Sequence, residues 1–265
     1  MHIAVVGGGI AGLGAAWRLR SHGADVTVFD RNEDVGGRCR TFEWHGRWLI
    51  RGAAAFIAAE DNLVQQAREL GIYSPDSVVD ATPTHRWNIL HNGGAVFELG
   101  NFAPPDILLC QKLPVSERLA FARILPTLAA QIIRNDPRDP TSAVSLDTTT
   151  ACAHFRTFAP TFVDYVLEPV MQMFCGYGED DYSLAWLVWL MAGPYAWADR
   201  WWTFGDQGVG RLTRELGAAL ARAPGTSVRT DAEVLNVSAQ GPTVRVTWRE
   251  RGVTDQRAFD AAVIA

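Results

Sequence analysis

The sequence predicts an α/β fold: a parallel sheet drawn from both ends of the chain, with a mainly helical lobe inserted between. Three observations carry that prediction. An apolar run near the N-terminus leads through a glycine-rich turn into a helix and a second strand. Strand-like runs return near the C-terminus, and helical spacing dominates residues 104–202.

Ile3-Ala4-Val5-Val6 is a continuous apolar run, the pattern of a strand buried on both faces. Gly7-Gly8-Gly9-Ile10-Ala11-Gly12 follows, then Leu13, Ala16, Trp17 and Arg20 at helical spacing to about Ser21, with Gly23 as the stop. Asp25–Asp30 is a second, β-branched strand, so the first thirty residues read as a right-handed βαβ unit. Thr41–Trp44 and Arg47–Ile50 flank His45-Gly46 as a hairpin; Arg86–Leu90 and Ala95–Leu99 flank Asn92-Gly93 as another. Helices are expected over Ser116–Ile133, kinked at Pro126, over His154–Gln172 and over Tyr182–Met191. Breaker chemistry marks Asn135–Pro140 as a loop. Gly208-x-Gly210 opens a helix to about Arg222, and three strand runs close the sequence: Ser227–Val237, Thr243–Arg249 and Ala258–Ala265.

Composition narrows the function. With 48% hydrophobic and 20% charged residues, the 265-residue chain can bury a sizeable core. A net charge of −5 without a Lys/Arg cluster argues against nucleic acid, whose binding rests on phosphate neutralisation. Cys39, Cys110, Cys152 and Cys175 form no Cys-x-x-Cys pair, so a metal site is not expected and reduced thiols in the cytoplasm are. The N-terminus runs straight into the first strand, so no signal peptide is expected. The apolar stretch Leu184–Ala198 is fifteen residues long and broken by Gly193-Pro194. A bilayer span needs about 20.

Gly7-x-Gly9-x-x-Gly12 carries the chemistry. Gly7 permits the tight turn, Gly9 lets backbone approach a pyrophosphate, and Gly12 lets helix and strand pack closely. The pyrophosphate then meets the positive end of the helix and its unpaired N–H groups. Asp30, at the end of the second strand, is placed to accept hydrogen bonds from ribose hydroxyls and to repel a 2′-phosphate. Glu33-Asp34-Val35-Gly36-Gly37-Arg38-Cys39-Arg40-Thr41 comes next, where two glycines let the chain fold back beside the phosphate turn and Arg38 face the diphosphate.

With both motifs in place, the chain resembles the superfamily of flavin-containing amine oxidases, protoporphyrinogen oxidases and phytoene desaturases, whose Gly-Gly-Arg-x-x-Thr/Ser marks bound FAD. The resemblance implies a Rossmann-type FAD-binding domain over 1–57 and 205–265, and an inserted, mainly helical substrate lobe over 58–204. It implies FAD contacts from Gly7, Gly9, Ile10, Ala11, Gly12, Asp30, Arg31, Gly37 and Arg38. Gly52, Ala53 and Ala54 correspond to the segment beside the flavin ring, and Val234 to the backbone contact with adenine. Arg51 departs from the pattern, because the family commonly has an acidic residue there. Phe259–Ala265 looks like the strand that returns to the nucleotide-binding sheet. Relatives usually continue beyond that strand, so a complementing C-terminal chain or fragment is expected, packed on an apolar last strand covered on both faces.

Trp186, Trp189, Trp197, Trp201 and Trp202 crowd into seventeen residues. They suit a plain core, the wall of a substrate channel, or a membrane-surface patch, in that order. No Gly-x-Ser-x-Gly elbow occurs, the six histidines are scattered, and Glu179-Asp180-Asp181 reads as a solvated loop. No catalytic acid or base is assigned, as suits an enzyme whose cofactor accepts the hydride. The expectation is an FAD-dependent oxidoreductase acting on a hydrophobic small molecule at a C–N or C–C bond. The alternatives are a carotenoid-type desaturase or isomerase at a membrane surface, and a catalytically idle FAD-binding subunit.

Overall fold

The computed structural model describes all residues except 58–60, 75–76, 81–86, 92–94, 100–103, 137–138, 176–177, 179–181 and 193–200. The chain forms two compact units, Met1–Thr82 with Arg200–Ala265, and Pro83–Asp199. The first opens with β1 (His2–Val6), α1 (Ile10–Ser21), β2 (Asp25–Phe29), β3 (Thr41–Trp44) and β4 (Arg47–Ile50), then β5 (Phe56–Ile57), α2 (Asp61–Glu69) and β6 (Val79–Asp80). The second holds β7 (Trp87–His91), β8 (Ala95–Leu99), α3 (Pro104–Leu109), α4 (Val115–Arg134), α5 (Ala151–Arg156), α6 (Pro160–Phe162), α7 (Glu168–Cys175) and α8 (Leu184–Ala192). The chain re-enters the first unit through β9 (Trp201–Thr203), α9 (Gly210–Arg222), β10 (Thr226–Arg229), β11 (Ala232–Gln240), β12 (Thr243–Glu250), β13 (Val253–Phe259) and β14 (Ala261–Ile264).

A parallel sheet in the order β10-β2-β1-β14 centres the first unit, so the strands do come from both ends of the sequence. Val5 stands opposite Val28 on one side and Val263 on the other. The run Ile3–Val5 is continuously apolar because both faces of β1 are covered. Val5, Val26 and Val28 share a core with Leu13 and Ala16 of α1 and with Leu212, Leu216 and Leu220 of α9. Ala4 and Phe29 instead meet Ala232, Val246, Trp248 and Phe259 from the antiparallel sheet β11-β12-β13. This is the Rossmann-type arrangement that the glycine turn requires.

Two expectations in this unit need correction. The strand run Ser227–Val237 is two strands, parted at Asp231, whose φ of 53° turns the chain from the parallel sheet into the antiparallel one. β13 escaped notice because six of its seven residues are exposed and no apolar alternation marks it. β14 pairs with β1 as expected and forms the sheet edge, half-buried to exposed within this chain, with Ile264 68% exposed.

The compact units also part at Thr82 rather than at the 57/58 boundary read from the sequence. The reason is α2. Val64 and Ala67 enter the core of α1 and α9, followed by Ile72 and Val78. The Trp17 indole N–H donates to Glu69 Oε2 at 2.6 Å and Arg18 donates to Oε1 at 2.9 Å, clasping α2 to α1. The hydrogen bond from Trp17 is the main cause holding the Glu69 carboxyl below its ordinary pKa, against a smaller opposing effect of burial.

In the second unit Phe121, Phe155 and Phe162 form an aromatic core with ring centroids 5.4–6.2 Å apart. The single helix expected over His154–Gln172 is broken at residues 157–159. Pro160 then starts α6, which passes through a π-helical turn, Val163–Leu167, into α7. The buried Glu117 carboxylate accepts the Thr161 and Phe162 amides at 3.1 and 3.0 Å and so caps that new start. β7 and β8 pair antiparallel as the hairpin expects; the turn Asn92-Gly93 and the run 179–181 lie outside the described residues. The tryptophan run divides between the units: Trp186 packs on the core of the second, Trp202 on that of the first, and Trp197 lies outside the described residues.

Candidate cofactor site

The turn from β1 into α1 is built by steric exclusion. Gly7 sits at φ 106°, and its N–H donates to the Phe29 carbonyl at 2.8 Å. A Cβ on Gly12 would collide with the Gly7 carbonyl oxygen, so α1 can lie on β1 only without a side chain there. Gly9 differs from both: a Cβ there would meet no protein atom within 4 Å. Gly9 is also the N-cap of α1, with no side-chain cap and no acidic residue in the first turn. The amides of Gly9, Ile10, Ala11 and Gly12 therefore lack intrahelical acceptors at the positive end of the helix, beside the open space over Gly9. That is an anion cradle.

The second glycine pair closes on the first. The Gly36 N–H donates to the Gly8 carbonyl at 2.7 Å, and a Cβ on Gly37 would sit 3.2 Å from Gly9 Cα. Gly36 and Gly37 adopt φ of 116° and 54°, which L side chains rarely reach. Arg38 follows, exposed and without an ion pair among the described residues. Its carbonyl accepts the Ala53 N–H at 3.0 Å, tying Gly52–Ala54 to the back of the same loop. Arg51 is exposed, its guanidinium 5.5 Å from the centre of the Phe42 ring.

Asp30 has a task the sequence did not reveal. It is 6% exposed, and its Oδ2 accepts the Gly8 N–H at 2.8 Å. Oδ1 accepts both the backbone N–H and the side-chain amide of Asn32, each at 2.8 Å. Asp30 therefore fastens the glycine turn, with one acceptor site on Oδ2 not used by these bonds. Asn32 was missed; its signal was Asp-x-Asn, an Asx-turn pattern. The Ala232 N–H donates to the Asp30 carbonyl at 2.8 Å, stitching β11 to the end of β2 two residues before Val234. Hydrogen bonds thus gather Gly7–Gly12, Asp30, Gly36–Arg38 and Gly52–Ala54, with Val234 on the adjoining strand; Arg31 is exposed at the end of β2.

A glycine-turn βαβ unit with a second, apposed glycine loop, and an arginine without an ion pair among the described residues, suits a dinucleotide-binding protein of the flavin class. The chain belongs to the family of flavin-containing amine oxidoreductases, whose model matches residues 10–265. FAD is its cofactor, and the residues present fit it: helix-start amides without intrahelical acceptors beside the open space over Gly9, and the exposed Arg38 on the apposed glycine loop. The protoporphyrinogen oxidase of Nicotiana tabacum mitochondria is 27% identical over 183 residues, covering 69% of this chain and 34% of that protein. A 4,4′-diapophytoene desaturase of Staphylococcus haemolyticus is 54% identical over 46 residues, 17% of this chain and 9% of its own. Among solved structures, cyclohexylamine oxidase from Brevibacterium oxydans superposes with a TM-score of 0.73 at 19% identity, covering all of this chain and 57% of that one. The chain thus spans about a third of the tobacco protein it matches.

Proposed function

We propose that this chain forms the cofactor-holding part of an FAD-dependent oxidoreductase that removes a hydride from a hydrophobic small molecule at a C–N or C–C bond. The carrying observation is the apposition of the two glycine loops around Gly9, the one glycine of the fingerprint whose side-chain space is empty. In this reading the amides of Gly9–Gly12 and the Arg38 guanidinium hold the diphosphate, Asp30 takes a ribose hydroxyl, and the Val234 backbone meets adenine. Gly7 shapes the turn, Gly37 lets the second loop close, and Arg31 lies beside the adenosine end. Gly52–Ala54 run along the flavin ring.

When bound, FAD supplies hydride acceptance; the protein supplies position, charge compensation and exclusion of water. The helical unit serves as the substrate lobe. A complementing C-terminal segment packs along β14, whose outer edge carries unpaired backbone groups and the exposed Ile264. The protein works in the cytoplasm.

The test is anaerobic addition of cyclohexylamine or protoporphyrinogen to the flavin-loaded protein assembled with its complementing C-terminal segment. Bleaching of the oxidised flavin absorbance by either compound supports the oxidoreductase. A spectrum unchanged by both, with FAD retained, supports the idle FAD-binding subunit instead.

A further inference from the structure

The carboxylate of Asp30 is held by three donors of the protein itself. The Gly8 N–H donates to Oδ2 at 2.8 Å. Asn32 gives Oδ1 two bonds, one from its backbone N–H and one from its side-chain amide, each at 2.8 Å. A carboxylate accepts at about four lone-pair sites, so a single one, on Oδ2, is not used by these bonds. The glycine at position 8 makes the close fit possible, because a Cβ there would stand 2.8 Å from Oδ2 and 3.0 Å from Asp30 Cβ.

Asn32 also ties this carboxylate to the neighbouring strands. Its carbonyl accepts the Asp231 N–H at 2.8 Å, and the Asp30 carbonyl accepts the Ala232 N–H at 2.8 Å. The Asp30 N–H donates to the Arg229 carbonyl at 2.8 Å. Both residues are thus anchored at the junction of β10 and β11, where Asp231 turns the chain at φ 53° towards Val234. With the backbone fixed, the side-chain torsions of Asp30 are the freedom that remains, and the bonds from Gly8 and Asn32 close it. Asp30 is 6% exposed and Asn32 half-buried, which strengthens hydrogen bonds relative to water.

We infer that Asn32 is a positioning residue for the adenosine end of the cofactor: by occupying Oδ1 it restricts Asp30 to one ribose hydroxyl, bound through Oδ2. The inference rests on the FAD reading above and adds a count to it. A freely turning carboxylate offers one oxygen to each of the two neighbouring ribose hydroxyls. The caged one offers a single acceptor, so the 2′- and 3′-hydroxyls contribute unequally.

Calorimetric titration of the cofactor-free protein, assembled with its complementing segment, tests this with FAD and its 2′-deoxyadenosine and 3′-deoxyadenosine analogues. With the wild type, one analogue is expected to bind about tenfold or more weakly than FAD, the loss of a hydrogen bond to a charged acceptor, and the other within about threefold. Asn32→Ala and Asn32→Leu keep the backbone bonds of residue 32 but free Oδ1 from the side chain. In both, the gap between the two analogues is expected to shrink to about threefold or less. Equal penalties for the two analogues in the wild type, or none, overturn the inference, because Asp30 then does not select one hydroxyl. A gap that survives in both variants also overturns it: a merely structural role weakens FAD and both analogues by one factor and leaves their ratio unchanged. Wild-type protein that binds no FAD overturns the cofactor reading as well, whereas tight FAD binding with an unaltered ratio overturns this inference alone.

Discussion

Helices α1 and α4 are both rich in apolar residues, and they differ in what takes up that surface. Around α1 the fold accounts for nearly all of it: Leu13 and Ala16 are fully buried, Gly12 lies against the turn, and Trp17 is engaged by Glu69 of α2. Its N-terminal amides lack intrahelical acceptors, and the proposed cofactor site lies there. Around α4 the fold buries Phe121 and Leu128 on one face and leaves Val115, Leu119 and Ile133 exposed on another. Surface that packing explains speaks of stability; helix-start amides left without acceptors speak of a ligand.

The contrast breaks first on α4 itself. Phe121→Ala should destabilise the protein by about 3–5 kcal/mol, because it empties core volume shared with Phe155 and Phe162. Leu119→Ala, two residues away on the exposed face, should stay within about 0.5 kcal/mol of wild type. Urea denaturation checks both, and equal losses would mean that the face of Leu119 is packed.

On α1, Gly12→Val should cost about 3 kcal/mol, since the branched side chain drives the helix off the Gly7 carbonyl. The same titration measures it. Arg38→Ala should leave the melting temperature of the cofactor-free protein unchanged, because Arg38 makes no ion pair among the described residues. It should weaken FAD affinity by about 1.5–3 kcal/mol, read by equilibrium dialysis.

The smallest effect concerns pH. Burial, helped by Arg257 and opposed by Asp25 and Asp260, lowers the His2 pKa from its ordinary value. The fold thus favours the neutral ring, which shares a 2.9 Å hydrogen bond with Thr27. This contribution is complete above the unfolded value of about 6.5 and is lost as pH falls through the lower folded one. His2→Gln should therefore melt with less pH dependence than wild type between about pH 7 and pH 5.

Legibility followed the strength of local constraint. The βαβ unit could be read because Gly7 and Gly12 stand where no side chain fits, and because β1 is apolar on both faces. The backfolded Gly36-Gly37 could be read for the same reason. α2 could not, since Val64 and Ala67 are its only buried apolar residues and nine residues give little periodicity. β13 could not, being exposed at six positions of seven. Asp30 was found as a site residue, but its bonds to Gly8 and Asn32 depend on how the turn closes in space. The exposed face of α4 was hidden because exposure, not spacing, distinguishes it from core.

Gly9→Val tests the central claim most directly. Gly9 has extended backbone, φ −72° and ψ 178°, and no neighbour within 4 Å of a Cβ, so valine is sterically allowed in the protein itself. The purified variant should melt within about 1 kcal/mol of wild type yet lose most of its bound flavin, because the side chain fills the space where the diphosphate belongs. A folded Gly9→Val protein that retains a full complement of FAD would contradict the placement of the cofactor between the two glycine loops.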